Sequence, residues 1–274
     1  MENNKNFYIF FKYLLGIIFL AYYRPKFVNK NYIPKEGPVI ICGNHIHLYD
    51  QCLPIMSTKR MIHYMAKKEY FDSKFAWFFK KSGCISVDRE NHGGNSKNIA
   101  IDILNNGYAL GIYPEGTRNS LISKKDRLRE IYKYVDNNIK FKNFKKIIAK
   151  NKVSVSGIDL LLKLKNDKRI SDDEFKTYIY NPNKYLKYLL SKNIITDDEY
   201  TNSLLLPIKF GTVSFAKKTN ATIVPYAITG KYRFFKNNLK ITFAKPFKID
   251  NMSIEAANEK LKYSIIDIIK KNEK

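Results

Sequence analysis

His45 and Asp50 are the pair in this 274-residue chain whose types and spacing best suit proton transfer. Imidazole titrates near neutrality, so it can take a proton from a hydroxyl and later release it. A carboxylate on one ring nitrogen fixes the tautomer and steadies the imidazolium that forms. Both residues lie in Gly43-Asn44-His45-Ile46-His47-Leu48-Tyr49-Asp50, a stretch short enough to fold back and bring the two side chains together. No Gly-x-Ser-x-Gly nucleophile elbow accompanies them, so His45 is expected to act directly on a substrate hydroxyl. Cys42, His45, His47 and Asp50 are all metal-ligand types, yet their spacing matches no common zinc pattern. A cysteine acyl-enzyme through Cys42 or Cys52 competes with the ordinary use of cysteine as buried filler.

The elements around the pair follow from local pattern. Pro38-Val39-Ile40-Ile41-Cys42 reads as a short buried strand, left at the turn formers Gly43 and Asn44. Asp50 has an N-cap side chain and Pro54 falls in the following turn, so a helix is expected from about Asp50. Arg60 to Ala66 is a strand followed by Lys67 and Lys68; Phe75 to Phe79, with Trp77, is an apolar patch on a helix. Cys84 to Val87 is a strand opened by Gly83 and closed by Asp88-Arg89, and an arginine there can fork onto a phosphate. Tyr108 to Tyr113 is a strand ending in Pro114-Glu115-Gly116-Thr117-Arg118-Asn119, a rigid turn with an open backbone and donors for an anion. Glu115 is placed to orient Arg118 or to hold a substrate hydroxyl. Further on, Ala221 to Ile228 and Leu239 to Phe243 read as strands and Ile254 to Lys271 as a closing helix. Pro225 is expected to mark a strand edge or end. Strands alternating with helices indicate an α/β fold, a mixed sheet flanked by helices.

Three of these stretches together resemble the glycerolipid acyltransferases, the family of 1-acyl-glycerol-3-phosphate acyltransferases. Asn44-His45 with Asp50 resembles its motif one, the HX4D motif. Gly83 to Arg89, Gly-x-x-x-x-x-Arg, resembles motif two. Tyr113-Pro114-Glu115-Gly116-Thr117-Arg118 resembles motif three almost letter for letter, with Asn119 where a serine is common. Ile223-Val224-Pro225 resembles a fourth motif. The resemblance covers roughly residues 25 to 119 and 205 to 270. It implies acyl transfer from acyl-CoA or acyl carrier protein to lysophosphatidic acid, giving phosphatidic acid in phospholipid biosynthesis. It further implies His45 as general base oriented by Asp50. Arg89 and Arg118, with the Gly116-Thr117 turn, would hold the acceptor phosphate, Glu115 would belong to the same substrate-binding set, and no metal or redox cofactor is called for. Glycerol 3-phosphate or another lysolipid is the alternative acceptor. A non-catalytic lipid-binding relative would keep the fold but lose His45 or Asp50, and both are present.

Composition and charge frame this. Hydrophobic residues make up 45% and charged residues 27%, a globular balance. The formal net charge of +24 calls for an anionic partner: an acidic membrane surface, phosphorylated substrates or nucleic acid. No helix-turn-helix, zinc-finger or RNP string supports nucleic acid. Three cysteines without paired spacing argue for a reducing compartment. Phe7 to Tyr23 is apolar and aromatic, so residues 1–30 are expected to form a membrane anchor that spans or lies flat. The basic flank Arg24, Lys26 and Lys30 puts the rest on the cytoplasmic side of the cell membrane if the segment spans. Residues 31–120 and 204–274 then form the acyltransferase domain and 121–203 a helical insertion. The early part of the insertion, Lys124 to Lys150, reads either as a basic amphipathic helix on an anionic membrane or as a solvated helix face. The later part holds a two-copy repeat. Ile170-Ser171-Asp172-Asp173-Glu174-Phe175 recurs as Ile195-Thr196-Asp197-Asp198-Glu199-Tyr200, each with a capping box after a leucine-rich helix. It loosely resembles small helical-hairpin modules of bacterial membrane-associated proteins and is expected to mediate interaction or self-association. The acidic clusters lack the EF-hand spacing and glycine.

Overall fold

A computed structural model describes residues 5–88, 94–136 and 138–272. The elements run α1 (Lys5–Tyr23), β1 (Lys26–Val28), β2 (Val39–Gly43), α2 (Cys52–Ser57), β3 (Ile62–Lys67), α3 (Lys68–Phe71), α4 (Ala76–Lys81), β4 (Ile85–Val87), α5 (Gly94–Asn105) and β5 (Ala109–Ile112). Six helices follow: α6 (Lys125–Tyr132), α7 (Phe141–Asn151), α8 (Val155–Asn166), α9 (Asp172–Tyr178), α10 (Pro182–Ser191) and α11 (Asp197–Asn202). The chain then closes with α12 (Gly211–Thr219), β6 (Thr222–Thr229), β7 (Lys240–Phe243) and α13 (Ile254–Asn272). It divides into two compact units: residues 1–44, 48–116 and 208–274 form one, His45–His47 with Thr117–Pro207 the other.

The first unit is a mixed sheet flanked by helices, with strand order β1-β7-β6-β2-β5-β3-β4. Every pairing is parallel except β6 with β7. β2 and β5 are neighbours in the middle, and every residue of both is buried. That is why they read as continuous apolar runs rather than alternating ones. Pro225 departs from the expectation of an edge: β6 lies between β2 and β7. Its carbonyl still accepts from the Ala244 N–H at 2.8 Å, and its missing N–H falls between the bridge Ile223–Phe247 and the β7 pairing that begins at Tyr226 and Phe243.

One face of α1 packs on this unit along its length. Tyr8, Gly16 and Phe19 are buried, and Lys12 donates to the Thr58 carbonyl. A side chain at Gly16 would collide with Met56. The opposite face, with Phe10, Leu14, Ile17 and Ile18, is exposed.

The second unit is built by α6 to α11 around its own core of Phe144, Leu161, Leu164, Phe175, Leu186 and Leu189. Both capping boxes form, Ser171 with Glu174 and Thr196 with Glu199. The stretch Lys124 to Lys150 is two helices, α6 and α7. On α7, Phe144 and Ile148 belong to the unit's core while Lys142, Lys145 and Lys146 face solvent. Its lysine side is therefore a solvated face, and the apolar stripe needed to enter a bilayer is occupied by packing.

Candidate active site

The parallel strands β2, β5, β3 and β4 lie side by side. In such sheets ligands bind outside the carboxyl ends of the strands. The His45 and Asp50 loop leaves β2 at that edge and the Glu115 loop leaves β5. Arg89 itself lies outside the described residues.

Asn44 fixes the exit from β2. Its side chain mimics a strand ladder, donating to the Ile228 carbonyl at 3.0 Å and accepting from the Ile228 N–H at 2.7 Å. Gly43 leaves no room for a side chain beneath it, because Tyr226 occupies that space. Asp50 is 0% exposed. The helix expected from Asp50 instead begins at Cys52, and its N-cap Gln51 makes no side-chain cap bond. The Asp50 carboxylate is engaged elsewhere: Oδ1 accepts from Tyr232 Oη at 2.6 Å. Burial and that carboxylate together hold the Tyr232 phenol well above its ordinary range. Nothing near Tyr232 in the sequence announces this partnership, which spans 182 positions.

At the end of β5, the Gly116 N–H closes a tight turn onto the Tyr113 carbonyl at 2.9 Å. Gly116 has φ +67, a left-handed conformation that glycine adopts without penalty. Glu115 is buried beside it. Lys209, absent from the motif list, is tied to this turn by its own N–H, which donates to the Pro114 carbonyl at 2.9 Å. Its amine lies 3.3 Å from where a Gly116 Cβ would stand.

His45, Thr117 and Arg118 belong to the second unit. The His45 carbonyl accepts from the Asn119 N–H at 2.6 Å, so the turns of motifs one and three are hydrogen-bonded through their backbones. His45 is half-buried. The Thr117 hydroxyl accepts from Lys124 Nζ at 2.6 Å. Arg118 is half-buried, and among the described residues no ion pair or hydrogen bond of its guanidinium is found. Asn119, where the family commonly has serine, donates to Ser156 Oγ at 2.8 Å and accepts from the Ser156 N–H at 3.1 Å.

Burial pushes the Cys42 thiol far up and the Cys52 thiol to about 12, the latter raised further by Asp50. Both stay protonated near neutrality, a poor state for a nucleophile. Among the described residues no group of three or more His, Cys, Asp or Glu gathers as a metal would require.

Over 97 residues the chain is 39% identical to the 1-acyl-sn-glycerol-3-phosphate acyltransferase of Bacillus subtilis, covering 35% of this chain and 49% of that protein. Over 120 residues it is 28% identical to the enzyme of the same name from Streptococcus pneumoniae, covering 41% and 46%. It thus spans about half the length of the curated relatives it matches. The fold is shared with the crystal structure of the 1-acyl-sn-glycerophosphate (LPA) acyltransferase of Thermotoga maritima. That match has a TM-score of 0.52 at 14% identity and covers 91% of this chain and 73% of that one. The sequence profile described as Acyltransferase matches residues 24–229, taking in β1 to β6 and the segments that follow β2, β4 and β5, and the chain belongs to that acyltransferase family.

Proposed function

We propose that this protein transfers a fatty acyl group from acyl-CoA or acyl carrier protein to lysophosphatidic acid, forming phosphatidic acid at a membrane surface. The observation that carries the reading is that β2 and β5, adjacent parallel strands, run at their carboxyl ends into motifs one and three in a chain of this family. His45 takes the proton from the free hydroxyl of the acceptor as its oxygen attacks the thioester carbonyl. Asp50 orients the ring and steadies the imidazolium. The C–O bond forms, the tetrahedral intermediate collapses, the C–S bond breaks, and the leaving thiolate takes the proton back from His45. Arg118 and Arg89, with the Thr117 hydroxyl of the Gly116-Thr117 turn, balance the acceptor phosphate, and Glu115 holds a substrate hydroxyl. No step calls for a metal or redox group.

Helix α1 supports the membrane part of the reading. It is long and apolar enough to cross a membrane, with a mean hydropathy of 1.4. Because one whole face is packed on the sheet unit, we read it as lying in the interface with Phe10, Leu14, Ile17 and Ile18 toward the acyl chains and the sheet unit on the cytoplasmic side of the cell membrane. The net charge of +24 favours an anionic surface there.

The test is acyl transfer by the detergent-solubilised protein, with lysophosphatidic acid or glycerol 3-phosphate as acceptor, acyl-CoA or acyl carrier protein as donor, and product detected by mass. Phosphatidic acid from lysophosphatidic acid, lost in His45→Ala that remains folded, is the expected result. Retained turnover in that variant sinks the mechanism, and product only from glycerol 3-phosphate replaces the acceptor.

A further inference from the structure

We infer that Tyr232 is a positioning residue for this chemistry: it sets the orientation of the Asp50 carboxylate, and the last turn of α1 holds Tyr232 in place. The inference rests on the roles of His45 and Asp50 given above. Tyr232 lies outside every motif, in the segment between β6 and β7. Its Oη to Asp50 Oδ1 distance of 2.6 Å is in the range of a charge-assisted hydrogen bond. Asp50 is fully buried, so no water shell chooses the rotation of its carboxylate. A phenol that claims Oδ1 turns Oδ2 to its other neighbours, and a general base needs its orienting carboxylate in one rotamer.

Cys52 of α2, Tyr113 beyond β5 and Tyr226 of β6 also feel the Asp50 charge.

The seat of Tyr232 comes from α1. Its ring meets Tyr23 edge-on at 5.4 Å and Phe19 at 6.4 Å. Nearby, the Phe235 N–H donates to the Tyr22 carbonyl at 2.6 Å, and the two rings stack at 5.5 Å. The helix that carries the membrane-facing surface therefore also clamps the segment that holds the carboxylate.

The experiment is steady-state transfer to lysophosphatidic acid across a pH series by the full chain in micelles, comparing wild type with Tyr232→Phe, Asp50→Asn and the double variant. Phenylalanine keeps the ring between Tyr23 and Phe19 and deletes only the hydroxyl. The expected fall in kcat is about tenfold to a hundredfold, with KM for the acceptor nearly unchanged. The acid limb of kcat/KM moves to higher pH, because a carboxylate relieved of one donor holds the imidazolium proton more tightly. In the Asp50→Asn background Tyr232→Phe adds little, since both act through one group. A Tyr232→Phe variant with wild-type kcat and an unmoved pH profile, or additive losses, overturns the inference. Tyr23→Leu, which leaves both partners in place, should lower kcat by a smaller factor, and an unchanged kcat overturns the role given to α1. Wild-type protein without transfer, or His45→Ala with it, overturns the proposed function and this inference with it.

Discussion

Arg169, immediately before the first repeat copy, grips Glu199 of the second with both guanidinium nitrogens, at 2.6 and 3.0 Å, and also donates to the Ile194 carbonyl. Glu199 is at the same time the capping-box residue of α11, accepting from the Thr196 N–H at 3.0 Å. One carboxylate thus caps a helix and ties the two copies together. Arg169→Ala is expected to destabilise the helical unit by about 1 kcal/mol, the range of a partly exposed bidentate pair. Urea unfolding followed by circular dichroism reads it. Hydrogen bonds from Arg169 and Thr196 hold Glu199 at about 2, against an ordinary 4.5. A carboxyl lowered on folding stabilises above its unfolded value, so this contribution is complete above about pH 4.5 and is lost as pH falls toward 2. The acid sensitivity should flatten in the Arg169→Ala variant; an unchanged slope would show that the pair is not coupled to folding.

Asn119→Ser restores the residue common in the family and removes the two-point contact with Ser156, which is buried and itself donates to the Ser203 carbonyl at 2.5 Å. Serine is too short to serve both groups. A loss of about 1–2 kcal/mol in the helical unit is expected, from a buried donor and acceptor left unserved. Amide hydrogen exchange at the start of α8 would rise; unaltered protection there would refute the assignment.

Gly116→Ala must adopt φ +67 and place a methyl 3.1 Å from Lys209 Cε. Left-handed backbone alone costs an L-residue about 1–2 kcal/mol. The variant should melt several degrees lower and show a raised KM for the phosphorylated acceptor, with Lys209 displaced from the turn. Wild-type KM at lowered stability would separate the fold of this turn from substrate binding.

His63 gives the sheet unit a pH response of its own. It is buried in β3, its Nδ1 2.8 Å from the Gly83 carbonyl, so that nitrogen carries the proton. Burial pushes its pKa below 6.5, the Gly83 contact opposing this in part. Below that ordinary value the unfolded chain takes up a proton that the folded chain refuses, so stability is full above about pH 6.5 and declines as the pH drops toward the lower folded value. His63→Asn, which keeps a donor toward Gly83, should remove this part of the slope. The check is the urea midpoint of wild type and variant at neutral and mildly acid pH, and parallel curves would refute it.

Much of the sheet could be read from local pattern, for identifiable reasons. β2 and β5 are central strands covered on both faces, and such strands announce themselves as unbroken apolar runs ending in turn formers. The capping boxes of the repeat are local by construction, three residues apart. What escaped was long-range. Asp50 looked like a helix cap because capping rules see only neighbours, while its partner Tyr232 arrives from the far end of the chain. Pro225 looked like an edge because a missing N–H signals an edge only where a neighbouring strand requires that donor. The α7 stretch stayed open between a membrane-binding and a solvated face because periodicity identifies an apolar stripe without saying what covers it.

The phenols packed in the sheet unit give the protein an unlabelled optical gauge. Tyr64 and Tyr113 stack at 5.9 Å, and Tyr226 lies against Phe243 at 5.7 Å. Burial holds all three far above the range in which an exposed tyrosine ionises. In an alkaline titration the tyrosinate absorbance of the chain's 20 tyrosines should therefore rise in two stages: an early, reversible one from the surface and a late one that begins only when the sheet unit opens.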